Sequence, residues 1–211
     1  MLPPDAGPDE ESDSVAGIKD FSNTLARENS ELIKAHIREI LRLIGEDPDR
    51  EGLRDTPERV ARMYEEIFAG YCVDPRDTLG ITFDERHEEL VIIKDIVYYS
   101  QCEHHMATFF GKVHIGYLPS GKIAGLSKFA RLVEAVTRKL QVQERITSEI
   151  ADILEEVLKP HGVMVVVTGE HTCMCARGVK KPGSVTITSA VRGQFRKDAA
   201  LRSEFLSLIK E

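Results

Sequence analysis

The sequence predicts an α+β protein, in which an antiparallel sheet is covered by helices and preceded by a helical region. Two pairs of strand-like segments, at 90–118 and 163–191, are separated by a stretch of helical periodicity at 127–157. The order strand-strand, helix-helix, strand-strand is typical of an antiparallel sheet with helices on one face. One helix layer leaves sheet edges and a face uncovered, and we therefore expect the chain to form a homo-oligomer.

The part of the chain before the predicted sheet divides into a tail and a helical region. Residues 1–25 are acidic and contain several prolines, which predicts a disordered tail; a signal peptide would need a basic start and an apolar stretch. Residues 26–85 contain two stretches of helical periodicity. The second helix is expected to have Thr56 as its cap and Pro57 as its first residue, and to end at Gly70.

The main domain, 86–211, is predicted from alternating or continuous apolar runs and from helical periodicity. Ser127 follows the second predicted strand and a turn, and it is the expected cap of the third helix. In order, the expected elements are strands 90–99 and 109–118, helices 127–140 and 146–157, strands 163–168 and 185–191, and a closing helix 198–209.

Composition excludes several classes of function. The 211 residues carry a formal net charge of -7, whereas a general nucleic-acid binder would show a basic excess. No apolar run approaches the length needed to cross a bilayer, so no membrane partner is expected. Four cysteines without a secretion signal favour a reducing compartment, and we expect a cytoplasmic protein with free or metal-bound thiols.

Two short stretches concentrate groups that bind metals and transfer protons. Residues 101–105 read Gln-Cys-Glu-His-His, and residues 171–175 read His-Thr-Cys-Met-Cys. Zinc prefers thiolate and imidazole ligands, and a catalytic zinc keeps three protein ligands and one position for water. Cys102, one of the two nearby histidines, and Cys173 would form such a set. If the second stretch is extended, His171 and Cys173 share one face.

Two other interpretations of these stretches stay open. A structural zinc would be closed by a fourth protein ligand, either Cys175 or the other histidine. The thiols and imidazoles could also lie together without any metal. The bend suggested by Ala176-Arg177-Gly178 would take Cys175 away from the site.

A second group of candidates suits a phosphorylated, nitrogen-rich substrate. Ser127 and Lys128 open the third helix, with Arg131 one turn later, and a helix start with cationic side chains binds anions. Arg177 follows the second metal-binding stretch. Glu144, after Gln143, lies at the junction between the two predicted helices, where a carboxylate could accept N–H bonds from a guanine edge. Taken singly, each of these residues is more typical of an ordinary solvated or capping side chain.

Several motifs in this order resemble the zinc-dependent GTP cyclohydrolase I family over residues 30 to 210. They are Cys102-Glu103-His104-His105, Gly125-Leu126-Ser127-Lys128 with Arg131, Gln141-Val142-Gln143-Glu144-Arg145, and His171-x-Cys173 leading to Arg177-Gly178. Asp55-Thr56-Pro57 with Arg59-Val60-Ala61 is similar to the family's N-terminal helix. Each motif alone is modest, but all of them in this order are highly specific.

The resemblance implies a tunnelling fold with an N-terminal helical extension, assembled as a homodecamer of two stacked pentamers with active sites between subunits. It implies the conversion of GTP and water to 7,8-dihydroneopterin triphosphate and formate, the first step of tetrahydrofolate or other pterin biosynthesis. The implied zinc ligands are Cys102, His105 and Cys173. The implied proton-transfer residues are His104 and His171. The implied substrate contacts are Glu144 for guanine, Gln143 and Ser127 near the nucleoside, and Lys128, Arg131, Arg177 and Arg59 for the triphosphate.

Three other functions remain as alternatives. The first is another tunnelling-fold protein acting on purines or pterins. One such relative, the nitrile-reducing queuosine enzyme, uses a nucleophilic cysteine and NADPH, whereas Cys102 here lies beside two histidines. A purine deaminase would show a P-C-x-x-C signature, but Cys173 and Cys175 are separated by one residue. A structural-zinc interaction module would retain zinc without any turnover.

Overall fold

The computed structural model describes residues 26–80 and 82–210 and has the α+β architecture predicted from the sequence. The tail predicted at 1–25 lies outside the described residues. The helices are α1 (Ala26–Leu43), α2 (Thr56–Ile67), α3 (Leu126–Thr137), α4 (Gln143–Leu158), α5 (Thr172–Cys175), α6 (Gln194–Lys197) and α7 (Ala199–Leu208). The strands are β1 (Thr82–Asp84), β2 (Val91–Cys102), β3 (Thr108–Leu118), β4 (Lys122–Ala124), β5 (Leu140–Gln141), β6 (Gly162–His171) and β7 (Val185–Gly193). Across the two described ranges, no helix is both long and apolar enough to cross a membrane.

The first two helices pack against each other and form an arm before the sheet. Lys34 on α1 joins them, because its ammonium group lies 2.5 Å from the carboxylate of Glu58 on α2. Asp55 is the N-cap of α2 and Thr56 is the first helical residue, so the prediction of Thr56 as the cap is wrong by one residue. No side chain caps this end, and Pro57 in the first turn favours the helix start instead.

Gly70 joins the arm to the main domain. It lies in the 3₁₀ turn Ala69–Cys72 that follows α2, and its amide donates to the carbonyl oxygen of Arg138 over 2.8 Å. A Cβ at this position would lie 2.6 Å from the carbonyl oxygen of Ala135, so a side chain would push the backbones apart. The prediction that α2 ends at Gly70 is therefore wrong, because the helix ends at Ile67 and Gly70 docks the arm against the end of α3.

The main sheet has the strand order β5-β2-β3-β6-β7. Neighbouring strands from β2 to β7 are antiparallel, as predicted, and the short β5 runs parallel to β2. The central strand β3 pairs Thr108 with Gln101 on one side and Phe109 with His171 on the other. This register brings the C-terminal ends of β2 and β6 together, on either side of the start of β3. The strands β1 and β4 form a separate pair.

Helices α3 and α4 cover one face of the main sheet and bury the larger core. Phe129 and Leu132 of α3 and Ile150 of α4 are fully buried there, together with Val113 and Val165 of the sheet. The apolar spacing that predicts these helices and strands therefore also identifies the side chains that join them.

The closing helices pack on the opposite face. Phe195 of α6 and Phe205 of α7 form a second buried cluster with Met164 and Val166 of β6. Because successive side chains of a strand point to opposite faces, Val165 between them belongs to the larger core instead. The expectation of helices on one face is thus corrected, since α6 and α7 cover part of the other face.

The start of α3 differs from the prediction. The helix begins at Leu126 with Gly125 as its N-cap, and Ser127 is not the cap. The amide of Lys128 donates to the carbonyl oxygen of Gly125 over 2.9 Å, so the chain is already helical at Ser127. The closing helix is predicted from 198 and begins one residue later, at Ala199, because Asp198 is its N-cap and its carboxylate accepts a hydrogen bond from the amide of Leu201.

Candidate metal centre and active site

Cys102 is the last residue of β2, at the buried end of this strand, and a short turn leads from it to β3. The amide of Cys102 donates to Ala107 over 2.8 Å, and its carbonyl oxygen accepts from the amides of His105 and Met106. Met106 has a left-handed φ of 52°, with which the chain reverses in this short turn. Cys102 is 6% exposed, whereas His104 and His105 are exposed.

Cys173 reaches the same place from the other side of β3. The strand β6 ends at His171, which pairs with Phe109, and the backbone then turns into the short helix α5. The hydroxyl of Thr172 donates to the carbonyl oxygen of Thr108 over 2.6 Å and fixes this turn against β3. The expectation that His171 and Cys173 share the face of an extended strand is therefore wrong, because Cys173 lies in a helical turn.

Cys102, His105 and Cys173 form a cluster of three potential metal ligands, which we call the ligand cluster. One ligand atom from each residue lies within 4.8 Å of the other two. The Sγ atom of Cys102 lies 3.8 Å from Nδ1 of His105. Around a tetrahedral zinc ion, a sulfur and a nitrogen ligand at ordinary bond lengths lie about 3.6 Å apart. The ligand cluster therefore fits zinc with little rearrangement.

The structure distinguishes ligands that spacing alone leaves open. Nδ1 of His104 also lies 3.8 Å from Sγ of Cys102, yet among the described residues His104 does not join the ligand cluster. The thiol of Cys175 faces elsewhere, 3.5 Å from a carboxylate oxygen of Glu170 and 3.6 Å from the carbonyl oxygen of Lys181. Since no fourth thiol or imidazole joins the group within 26–80 and 82–210, the arrangement favours an open site over a closed one.

The two thiols of the ligand cluster are arranged for a cation. Burial raises the pKa of the Cys173 thiol, and the neighbouring Cys102 raises it further, since two thiolates repel each other. A divalent cation removes this repulsion by binding both sulfurs as thiolates and releasing their protons. The electrostatics of the pair therefore agree with the spacing.

His104 lies beside an ion pair that sequence reasoning did not single out. Arg145 donates two hydrogen bonds to the carboxylate of Glu103, at 2.7 and 3.3 Å. The hydrogen bonds from this guanidinium hold the pKa of Glu103 below its ordinary value. Nε2 of His104 lies 4.0 Å from the same carboxylate. The ion pair ties the metal-binding turn to the first turn of α4. In the sequence, the only sign of this pair was that Arg145 belongs to the motif at 141–145.

His171 is held in a stacked, half-buried position at the end of β6. Its ring lies against that of Phe109, with centroids 4.6 Å apart and planes 9° from parallel. Its Nε2 lies 2.9 Å from Oε1 of Gln143. Burial lowers the pKa of His171, and the charge of Glu144 partly opposes that shift. Sequence reasoning missed Phe109, because its role follows from strand register and from no motif.

Several basic residues predicted to bind phosphate lie far from the ligand cluster within one chain. Three of the predicted substrate residues occupy the first turns of α3: Ser127, Lys128 and Arg131. Between them, Phe129 packs on Tyr117 of β3, with ring centroids 5.4 Å apart. Tyr117 lies eight positions along β3 from Phe109, a length of about 26 Å. The ligand cluster and the start of α3 are therefore at opposite ends of the same strand.

The remaining predicted substrate residues lie on three elements. Arg177 follows α5, and its charge opposes the rise that burial causes in the pKa of Cys173. Glu144 is exposed in the first turn of α4, whereas Gln143 beside it is 1% exposed. Arg59 lies on α2 in the arm, where its guanidinium pairs with the carboxylate four residues earlier at 3.4 Å. One chain thus brings Arg177, Gln143 and Glu144 towards the end of the sheet that carries the ligand cluster.

The chain is similar to known proteins over most of its length. The profile of the family GTP cyclohydrolase I matches residues 33–210. GTP cyclohydrolase 1 of Bacillus pumilus is 61% identical over 183 residues, which is 86% of this chain and 97% of that protein. GTP cyclohydrolase 1 of Halalkalibacterium halodurans is 60% identical over 187 residues, 88% of this chain and 100% of that protein. GTP cyclohydrolase 1 of Clostridioides difficile is 61% identical over 183 residues, 86% of this chain and 96% of that protein.

Replacing Cys173 with serine should remove the bound metal, whereas replacing Cys175 with serine should leave it in place. Cys173 belongs to the ligand cluster, and the thiol of Cys175 faces Glu170 and Lys181. Zinc per chain, measured by inductively coupled plasma mass spectrometry after dialysis, should fall to background in Cys173→Ser and match wild type in Cys175→Ser. Equal metal loss in both variants would contradict this ligand set.

Proposed function

The chain belongs to the GTP cyclohydrolase I family, and we propose that it converts GTP and water to 7,8-dihydroneopterin triphosphate and formate at the ligand cluster. The observation that carries this function is the convergence of two thiols and an imidazole with two further histidines, His104 and His171, where β2 and β6 end. The similarity of the chain to enzymes named GTP cyclohydrolase 1 over nearly their whole length supports the same reaction.

We propose zinc as the metal, held by Cys102, His105 and Cys173. Two thiolates and one imidazole are ligands that zinc prefers, and three protein ligands leave one coordination position open. The distance between the Cys102 sulfur and the His105 nitrogen, 3.8 Å, supports this choice. When bound, zinc supplies Lewis-acid chemistry that lowers the pKa of water to near neutrality.

Two histidines carry the protons that the reaction has to move. Opening the five-membered ring of guanine needs a proton at a leaving nitrogen, and the later rearrangement of the ribose needs further transfers. His171 is neutral near pH 7 because burial lowers its pKa, so it can accept a proton. His104 is exposed beside the ligand cluster, where its ring can exchange protons with the substrate.

Glu144 is the residue that we assign to guanine. Its carboxylate is exposed one residue after Gln143, and its charge acts on His171. An ionised carboxylate offers two acceptor oxygens, which match the adjacent N–H groups on the edge of guanine. Recognition of the base there would bring the reacting ring to the metal and to His171 together.

The triphosphate is held, in this proposal, by residues from more than one subunit. The proposed phosphate ligands are Lys128, Arg131, Arg177 and Arg59, with Ser127 near the nucleoside. The start of α3 lies about 26 Å along β3 from Phe109, a distance that one triphosphate cannot span. A second copy of the chain can supply the start of α3 to the ligand cluster of the first.

The surface of the sheet supports such an assembly. β7 is an edge strand, and β5 covers only the end of β2. Apolar side chains of β2, beyond the part that β5 covers, and of the edge strand β7 are exposed: Val97 by 57%, Tyr99 by 62%, Val185 by 58% and Ile187 by 68%. Unpaired edges with apolar side chains favour association with another copy. We propose the homodecamer that the family resemblance implies, two stacked pentamers with active sites between subunits.

The cellular setting follows from the same proposal. The product would enter tetrahydrofolate or other pterin biosynthesis. All four cysteines are free thiols in the structure, which supports a reducing, cytoplasmic location. We propose the division that the sequence predicts, with a helical region at 26–85 and a catalytic domain at 86–211.

Removing the metal should abolish GTP turnover, and returning zinc should restore it. GTP is incubated with the enzyme as purified, after treatment with a chelator, and after zinc is added back. The product is oxidised and dephosphorylated, and the fluorescent pterin is measured. Protein that retains zinc and yields no pterin would contradict the proposed function and support a structural-zinc module. Turnover that survives complete loss of metal would contradict the role of the ligand cluster.

Mixed oligomers of two inactive variants should recover activity. Lys128→Ala removes a phosphate contact, and His171→Ala removes a proton carrier while leaving the zinc ligands intact. Each variant alone should lose most of its turnover at low GTP, about a hundredfold or more for His171→Ala. If each site takes Lys128 and His171 from different subunits, random co-assembly leaves about a quarter of the sites with both native residues.

Co-expression of two differently tagged chains, followed by purification through both tags, yields such mixed oligomers. Recovery of turnover towards that fraction supports sites between subunits. Oligomers of each single variant, purified in the same way, are the controls. Activity of the mixed oligomers no higher than the mean of the two controls would contradict the shared site.

A further inference from the structure

The side chain of Gln143 is buried in a network of hydrogen bonds with a fixed direction. Its Nε2 donates to the carbonyl oxygens of Val167 and Thr186, each at 3.0 Å, and lies 3.2 Å from Oγ1 of Thr188. The side chain thus reaches from the first turn of α4 across β6 to β7. Two of its three partners on this side are carbonyl oxygens, which can only accept.

The threonines complete the direction of the network. The hydroxyl of Thr147 donates to the carbonyl oxygen of Gln143 over 2.8 Å. Its hydrogen is therefore used, and the 2.6 Å contact between Thr147 and Thr188 takes its hydrogen from Thr188. A lone pair of Thr188 is then left to accept from the Gln143 amide nitrogen. A flipped amide would place its oxygen against two carbonyl oxygens, so the nitrogen has to face β6 and β7.

Only the oxygen of the Gln143 amide is left for His171. Oε1 lies 2.9 Å from Nε2 of His171, and an amide oxygen only accepts hydrogen bonds. The hydrogen of this bond must therefore belong to Nε2 of His171. A neutral imidazole carries one N–H hydrogen, so Nδ1 holds the free lone pair. Stacking on Phe109, with the planes 9° from parallel, fixes the plane of the ring.

We propose that Gln143 is a positioning residue that holds the ring of His171 with a hydrogen on Nε2, so that Nδ1 is the ring nitrogen left to face the substrate. The substrate half of this statement rests on the proposed function. The amide of Gln143 makes its hydrogen bonds inside the protein. The resemblance places Gln143 near the nucleoside, and a direct bond to the nucleoside would require one of these bonds to open.

Gly169 keeps the space around the Gln143 oxygen open. A Cβ on Gly169 would lie 2.4 Å from Oε1 of Gln143 and 2.8 Å from Oη of Tyr98. Any side chain there would displace the oxygen that meets His171. Glycine at position 169 of β6 is therefore needed for the contact between the Gln143 amide and His171.

Nitrogen-15 solid-state NMR of the zinc-loaded protein, labelled at histidine, measures which ring nitrogen carries the hydrogen. At pH 8 an ordinary imidazole is neutral, so the tautomer is read directly. The His171 signals are assigned by difference against His171→Asn. We expect a protonated Nε2 and a bare Nδ1 in wild type. The opposite assignment in wild type would overturn the proposal, and this measurement needs no stable variant of Gln143.

Gln143→Met then tests the cause, because methionine has a similar length and no amide. The His171 signals should lose their preference for Nε2–H, while zinc content stays at the wild-type level. Gln141→Met is the matched control: Gln141 is equally buried, at 1% exposed, but its amide bonds Val136, Glu149 and Arg145 and should leave the His171 tautomer unchanged. A His171 that keeps Nε2–H in Gln143→Met would overturn the role of Gln143.

Kinetics separate positioning from substrate binding. Gln143→Met should lower kcat about tenfold or more, the effect of losing one directed hydrogen bond, with KM for GTP little changed. A raised KM with unchanged kcat would instead assign Gln143 to the substrate and overturn the proposal. If wild-type protein with zinc does not turn over GTP at all, the proposed function fails, whereas the NMR result still decides the tautomer.

Discussion

The pairing of β3 with both β2 and β6 is the constraint on which the site depends. Thr108 pairs with Gln101 while its neighbour Phe109 pairs with His171. The strands β2 and β6 therefore both end beside the start of β3. Cys102 is the last residue of β2, and the other two ligands lie in the turns beyond the ends of β2 and β6. A shift of either strand by one residue would also turn its side chains to the opposite face. The register of the sheet therefore also determines whether the ligand cluster comes together.

The chemistry of the site is spread over neighbouring elements that hold each other in place. Cys102 ends β2 and His105 lies in the turn that follows, and the ion pair of Glu103 and Arg145 ties this turn to α4. Gln143 lies in the same first turn of α4, and its side-chain oxygen contacts the ring of His171. Each functional group is thus oriented by a partner outside its own element. Such support from outside keeps a site in one geometry.

Much of this could be predicted from the sequence, because it depends on local patterns. Alternating or continuous apolar runs predicted the four long strands, and the grouping of thiols and imidazoles in two short stretches pointed to both halves of the ligand cluster. Local patterns failed where a distant contact decides the outcome. The bond from Thr172 to Thr108 bends the chain into α5, so Cys173 is not on the extended face expected for it. Similarly, the separation of Lys128 from the ligand cluster depends on the length of β3, which no motif contains.

The zinc K-edge X-ray absorption spectrum of the purified holoenzyme tests the ligand cluster most directly. We expect two sulfur ligands at about 2.3 Å and one imidazole nitrogen at about 2.0 Å, with a light oxygen atom in the remaining position. A coordination sphere with three or more sulfurs, or one without imidazole, would contradict the set formed by Cys102, His105 and Cys173.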